Sequence, residues 1–348
     1  MPVSFRHVAL FLALAPCPLA ASTPSGMIER FDAAVARLQT TGMSPPEEAL
    51  RTRRSAADFV LDRALKIELM FPGDVTGTMF SGQLHGEPAV FTRSGNYLDA
   101  TSMRAGEIAV TSYDAPVDDA SLPRAEASST RGGDTRHRRS VPPGHMENPT
   151  AYRLHLHVVK HDDLINKSVR ELHSRYVAWW LADLSTRVLP VEPVRVSYLE
   201  RVPWLTSMAY GDTDSLHAFE RTLKALDSHY EFGMERTFKK KFLLLTAQRP
   251  MPGTTGVAFE GGNEAIASIA GRTRIVAHEI GHMLGATHAH AERRGWWGCE
   301  TNMAARGSSF SSDCLEYSAA NQRAMRSYMR HGPDTTGPKR MADAPAAE

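Results

Sequence analysis

Cysteine is scarce, at three in 348 residues, and one of the three, Cys17, lies in the N-terminal leader. That excludes a dense disulfide scaffold and a metal site built from several thiolates. Net charge is nearly absent: 40 Lys and Arg stand against 39 Asp and Glu, a formal +1. Nothing in that balance attracts nucleic acid or an anionic membrane surface. The apolar run Val8–Ala15 is too short to span a bilayer, so no stable membrane insertion is expected. What is present is 42% hydrophobic residues, enough for a packed core, in a chain long enough for two domains.

The short apolar run has a use of its own. Arg6 and His7 precede it, and Pro16-Cys-Pro-Leu-Ala-Ala21 closes it with small residues. Residues 1–21 therefore read as a secretory signal peptide, cut after Ala20 or Ala21, which sends the chain to the periplasm or the extracellular space. Cys299 and Cys314 then remain, and an oxidising compartment is expected to pair them. The bridge would close a loop containing Met303, worth roughly 3 kcal/mol in the chain-entropy view.

Residues 278–288 read His-Glu-Ile-Gly-His-Met-Leu-Gly-Ala-Thr-His. On a helix, His278 and His282 are four apart, so both imidazoles leave one face a turn apart, as a shared metal requires. Glu279 projects beside the metal without having to bind it, where a carboxylate can take a proton from metal-bound water. Gly285 lacks a Cβ and can turn left-handed, ending the helix so that the chain folds back. His288 then arrives as a third ligand. Three nitrogens leave a fourth position open, which distinguishes a catalytic Zn²⁺ site from a structural one. Ile275, Val276, Ala277, Ile280, Met283 and Leu284 surround the polar trio with apolar surface, as in a helix buried against a core.

The pattern H-E-x-x-H-x-x-G-x-x-H resembles that of the metzincin zinc endopeptidases. A second metzincin feature is a Met-containing turn beneath the zinc, and Met303 in Cys299-Glu-Thr-Asn-Met303 lies at a suitable distance. Two departures stand out: Ala289 follows the third His, and no Tyr follows Met303 closely. Trp296-Trp297 and the Cys-Glu-Thr-Asn-Met surroundings are similar to bacterial toxin-associated metzincins. The resemblance implies an α/β (α+β) zincin-like domain with a mixed sheet, an active-site helix and a Met-turn. It also implies a secreted Zn²⁺ endopeptidase acting on protein or peptide substrates. The strand just before the helix, Ala265 to Ile269, would be the edge on which an extended substrate pairs. Two alternatives stay open: the protease subunit of a secreted toxin, with a partner subunit, and a catalytically idle zincin-fold binding protein.

Along the chain, residues 23–46 carry a helical pattern, and 47–66 continue as helix or extended chain. Short apolar runs punctuated by Gly73, Gly82, Gly86, Gly95 and Gly106 then read as a small antiparallel β unit from Leu65 to Tyr113. Residues 114–150 are a polar linker carrying Arg136-His-Arg-Arg139, a place for a protease to cut. Residues 22–139 thus read as a propeptide-like unit that a cut would release. Residues 140–331 are the catalytic domain and 332–348 an unordered tail. Strands are expected at Tyr152–Val159, Val191–Leu199, Lys241–Thr246, Gly256–Phe259 and Ala265–Ile269. Helices are expected over Ser168–Val188, Asp214–Tyr230 and Glu316–Met329. His155 and His157 alternate on a strand and read as packing or surface residues.

Overall fold

The structure is a computed structural model. It describes residues 24–41, 59–104, 107–115, 154–190, 192–230, 237–295, 298–305, 311–333 and 340–345. The leader, the Arg136–Arg139 cluster and the Trp296-Trp297 pair lie outside these residues.

The C-terminal half is built on strands β6 (Leu154–Lys160), β7 (Val194–Leu199), β8 (Lys240–Thr246), β9 (Thr254–Phe259) and β10 (Glu264–Ser268). Strands β10, β8, β6 and β7 run parallel in that order, and β9 adds antiparallel to β10. Parallel strands are covered on both faces, which explains the unbroken apolar run Phe242–Leu245 in β8. Its alternate residues serve different layers. Leu243 and Leu245 join the core with Trp179, Trp180 and Ile280, while Phe242 and Leu244 join Leu216, Phe219 and Leu223. One face thus carries α2, a helical stretch over 169–188, and α4 (Ile275–Met283); the other carries α3 (Ser215–Tyr230). A last helix, α5 (Ala319–His331), is capped by the Ser318 side chain.

The N-terminal region forms α1 (Pro24–Thr41) and a meander of β1 (Phe59–Phe71), β2 (Val75–Leu84), β3 (Glu87–Ser94), β4 (Tyr97–Arg104) and β5 (Glu107–Asp114). The antiparallel unit expected from the sequence is there, but it does not stand apart. The end of β1 pairs parallel with β7, Ile67 to Met70 against Val194 to Ser197, which makes one eleven-stranded sheet. Phe71 stacks on Tyr198 at 5.1 Å between ring centres. On α2, Arg170 pairs with the buried Asp99 at 2.6 Å, and Ser174 donates a hydrogen bond to the same carboxylate at 2.7 Å. The meander wraps α2; it reaches the core from the side of the sheet away from β9. Turn glycines and apolar alternation reveal a local meander, whereas the β1–β7 contact is non-local and has no sequence signature.

Two further expectations change. β10 is interior, lying between β8 and β9, so the sheet's edge in the C-terminal half lies beyond it. Met341–Pro345, read as part of an unordered tail, forms β13 and pairs antiparallel with β9. Between them, β11 (Arg293–Arg294) and β12 (Cys299–Glu300) make a separate two-stranded ladder.

A chain cut once at Arg136–Arg139 should therefore stay together without a covalent tether. Its two pieces should co-elute in native size-exclusion chromatography and separate only in denaturant. Elution of the N-terminal piece alone under native conditions would show that the β1–β7 seam is not integral.

Candidate metal centre

Every residue of α4 is buried. His278 and His282 leave its face one turn apart, as their spacing requires. The helix ends where the sequence predicts. Gly285 takes φ +82°, its N–H donates to the His282 carbonyl at 3.0 Å, and the Ala286 N–H donates to the Gly281 carbonyl at 2.8 Å. This left-handed reversal satisfies the last helical carbonyls and turns the chain back. His288 then returns to the pair on a short 3-10 turn, His288–His290. The three Nε2 atoms lie 3.0, 3.0 and 3.2 Å from one another. Among the described residues this is the one group of His, Cys, Asp or Glu placed to hold a metal.

The imidazoles are set for ligation. The His278 Nδ1–H donates to the Asn302 carbonyl at 2.8 Å, which leaves the Nε2 lone pair facing the other two rings. Burial, followed by His282 and His288, pushes His278 well below the ordinary histidine range. Burial and then His288 push His282 down to about 3. Both rings are thus neutral, the form that binds metal. Zinc–imidazole bonds of about 2.0–2.1 Å can meet at one point from nitrogens so spaced, so the donor set fits Zn²⁺.

Several residues hold this arrangement that the motif does not contain. Asn321 of α5 accepts from the Thr287 N–H at 2.9 Å and donates to the Thr287 carbonyl at 3.2 Å, clamping the residue before His288. The Tyr328 ring lies against Gly285, and its hydroxyl donates to the Gly261 carbonyl at 2.8 Å. Met303 sits under α4 against Gly281, where an added Cβ would fall 2.3 Å from its sulfur. Tyr317 donates to the Ala277 carbonyl at 2.5 Å and accepts from Trp180 Nε1 at 2.6 Å. Cys299 and Cys314 form a disulfide, and the loop they close contains Met303. Arg274, at the start of α4, reaches Asp313 at 2.8 Å and Glu300 at 3.3 Å, locking that loop to the helix. Asn321, Arg274 and Tyr317 carry no signal in one sequence, because each acts across a long separation.

Glu279 is fully buried, next to His278 in the chain and against β9. A Cβ added at Gly256 would fall 2.3 Å from its Oε1, so this carboxylate packs directly on the Gly256 backbone. The remaining histidines lie elsewhere. His155 and His157 sit on β6 with ring centres 4.0 Å apart, and His155 bonds Ser197 at 2.9 Å. His290 and Ala289 are exposed.

A comparison with protein-family models finds no match, and a comparison with curated protein sequences finds none either. Among solved structures the chain is similar to metalloproteinase-II from Bacteroides fragilis. The identity is 14%, over 76% of this chain and 86% of that one, with a TM-score of 0.48. The functional reading below rests on the geometry of this chain's own residues.

The Gly256–Glu279 contact has a measurable consequence. Gly256→Ala should lower stability by about 1–3 kcal/mol through overpacking. Adding Glu279→Ala should restore most of that loss, because the clash partner is gone. Urea unfolding of the two single variants and the double variant gives the coupling; strictly additive losses would mean the carboxylate does not rest there.

Proposed function

We propose that the chain is a secreted zinc-dependent endopeptidase of metzincin type that hydrolyses peptide bonds in protein substrates. The observation that carries this reading is the convergence of His278, His282 and His288 Nε2 within 3.2 Å, with Glu279 beside them. The placement of Met303 directly under α4 adds to it.

Bound Zn²⁺ supplies an acidified water and a polarised substrate carbonyl. The chain's residues do the rest. Asn302 fixes the His278 tautomer through its carbonyl. Glu279 accepts a proton on its carboxylate as the peptide carbonyl is attacked, and returns it to the leaving amine nitrogen. Gly256 gives that carboxylate the room it occupies. The Cys299–Cys314 disulfide is consistent with an oxidising compartment, and among the described residues no helix is long and apolar enough to cross a membrane. Residues 59–114 act in this reading as a permanent part of the fold, since β1 holds a place in the central sheet.

Wild type should carry about one zinc per chain, and His282→Ala should lose it. Glu279→Gln should keep zinc and fold while hydrolysis of a peptide mixture falls by about 10²-fold or more, the size of lost general-base help. Elemental analysis and peptide mapping with and without a chelator read both. Equal zinc in wild type and His282→Ala, or undiminished cleavage by Glu279→Gln, would sink the assignment.

A further inference from the structure

The outer edge of β9 lies next to the candidate base. Gly256, on β9, is the residue whose backbone touches the Glu279 carboxylate. A strand edge offers a row of N–H and C=O groups to an extended chain. A peptide added to β9 would therefore pass the level of Glu279.

That edge is taken. β13 runs antiparallel along it, with Met341 opposite Phe259, Ala342 opposite Ala258, Asp343 opposite Val257 and Ala344 opposite Gly256. The Glu260 N–H donates to the Arg340 carbonyl at 2.8 Å, which starts the ladder. β13 also packs against α4, and Ala342 is buried there. With this strand in place, Glu279 and His282 have no exposed surface and His278 has 2%. The segment also starts close to the edge it covers. It follows α5, whose Tyr328 is bonded to Gly261 in the turn after β9, so closing the connection costs little chain entropy. The pairing is short as well. The register slips between Ala344 and Pro345, and proline offers no N–H to extend the ladder.

We propose that residues 340–345 are a built-in competitor that holds the β9 edge in place of an extended peptide and must leave before one can bind. This rests on the endopeptidase reading above and deepens it: the substrate is an extended chain running antiparallel to β9. A segment tethered in this way competes at a high effective concentration. It raises the apparent KM and leaves kcat little changed, because a bound substrate has already displaced it.

The test compares three zinc-loaded proteins: the full chain, the chain lacking residues 340–348, and full-length Ala342→Pro. In an antiparallel ladder bonding pairs alternate, so from the Arg340–Glu260 pair the Ala342 N–H also faces β9, and proline removes it. KM and kcat are measured on a fluorogenic peptide mixture, and hydrogen exchange is followed at the amides of Gly256, Ala258 and Glu260. Both variants should lower KM by about tenfold or more with kcat little changed, and should speed exchange at those amides. A synthetic peptide of residues 338–348, added to the truncated chain, should raise KM again and slow the exchange. Unchanged KM and unchanged exchange in both variants overturn the competitor. If no form hydrolyses peptide while exchange responds to truncation and to the added peptide, the endopeptidase reading falls and competition at the edge is supported. Ala342→Pro guards against a truncated chain that fails to fold.

Discussion

Three imidazole nitrogens converge within 3.2 Å, and with one proton or one lone pair apiece no arrangement of hydrogen bonds among them satisfies all three. An assembly of this kind persists only if its surroundings hold it. Most of the architecture around α4 meets that demand. The Asn302 carbonyl takes the proton-bearing side of His278, the left-handed reversal at Gly285 brings the chain back, and Asn321 grips the residue before His288. Burial keeps the His278 and His282 rings uncharged, which removes the repulsion between those two.

The supports come from far along the chain. Met303 and the disulfide loop press on α4 from below, Tyr317 ties its Ala277 carbonyl to Trp180 of α2, and Arg274 joins the helix start to Asp313 and Glu300. The Arg274 cluster is nearly dry, so removing the arginine would take a guanidinium from two carboxylates in low dielectric, Asp313 keeping Arg272 at 3.3 Å, a loss of up to about 3–5 kcal/mol for a broken buried pair. A rigid floor suits a centre whose donors must stay within a few tenths of an ångström of their places.

The parts legible in the sequence are those with short-range signatures. The two helix histidines, the glycine stop and the third histidine sit within eleven residues, and the structure brings the three histidines together. Strands β6, β7 and β8 and helices α2, α3 and α5 fall where apolar periodicity placed them, within a few residues. Pairing between remote segments left no such trace. Nothing in Ile67–Met70 says that it will lie beside Val194–Ser197, and nothing in the alanine-rich end says that it will become a strand on β9. The interior place of β10 follows from that second omission: an added antiparallel strand moves the edge outward, and only tertiary structure shows where the edge falls. Gly256 is similar. In the sequence it is one of 25 glycines, and its role appears only once the Glu279 carboxylate is seen against it.

The seam between β1 and β7 also bears on how the chain reaches this state. The Arg195–Glu68 ion pair flanking it at 3.1 Å joins residues 127 apart, and the two strands run parallel, so no hairpin can bring them together. Loops of that length close late, after local structure has lowered the cost. The meander β1–β5 can form early from its own tight turns, but Phe71 then waits with an uncovered face until Tyr198 arrives. Until that docking the chain carries a sticky, half-built sheet edge of the kind that aggregates or recruits chaperones. Its vulnerable moment is thus set by assembly order, well away from the histidines.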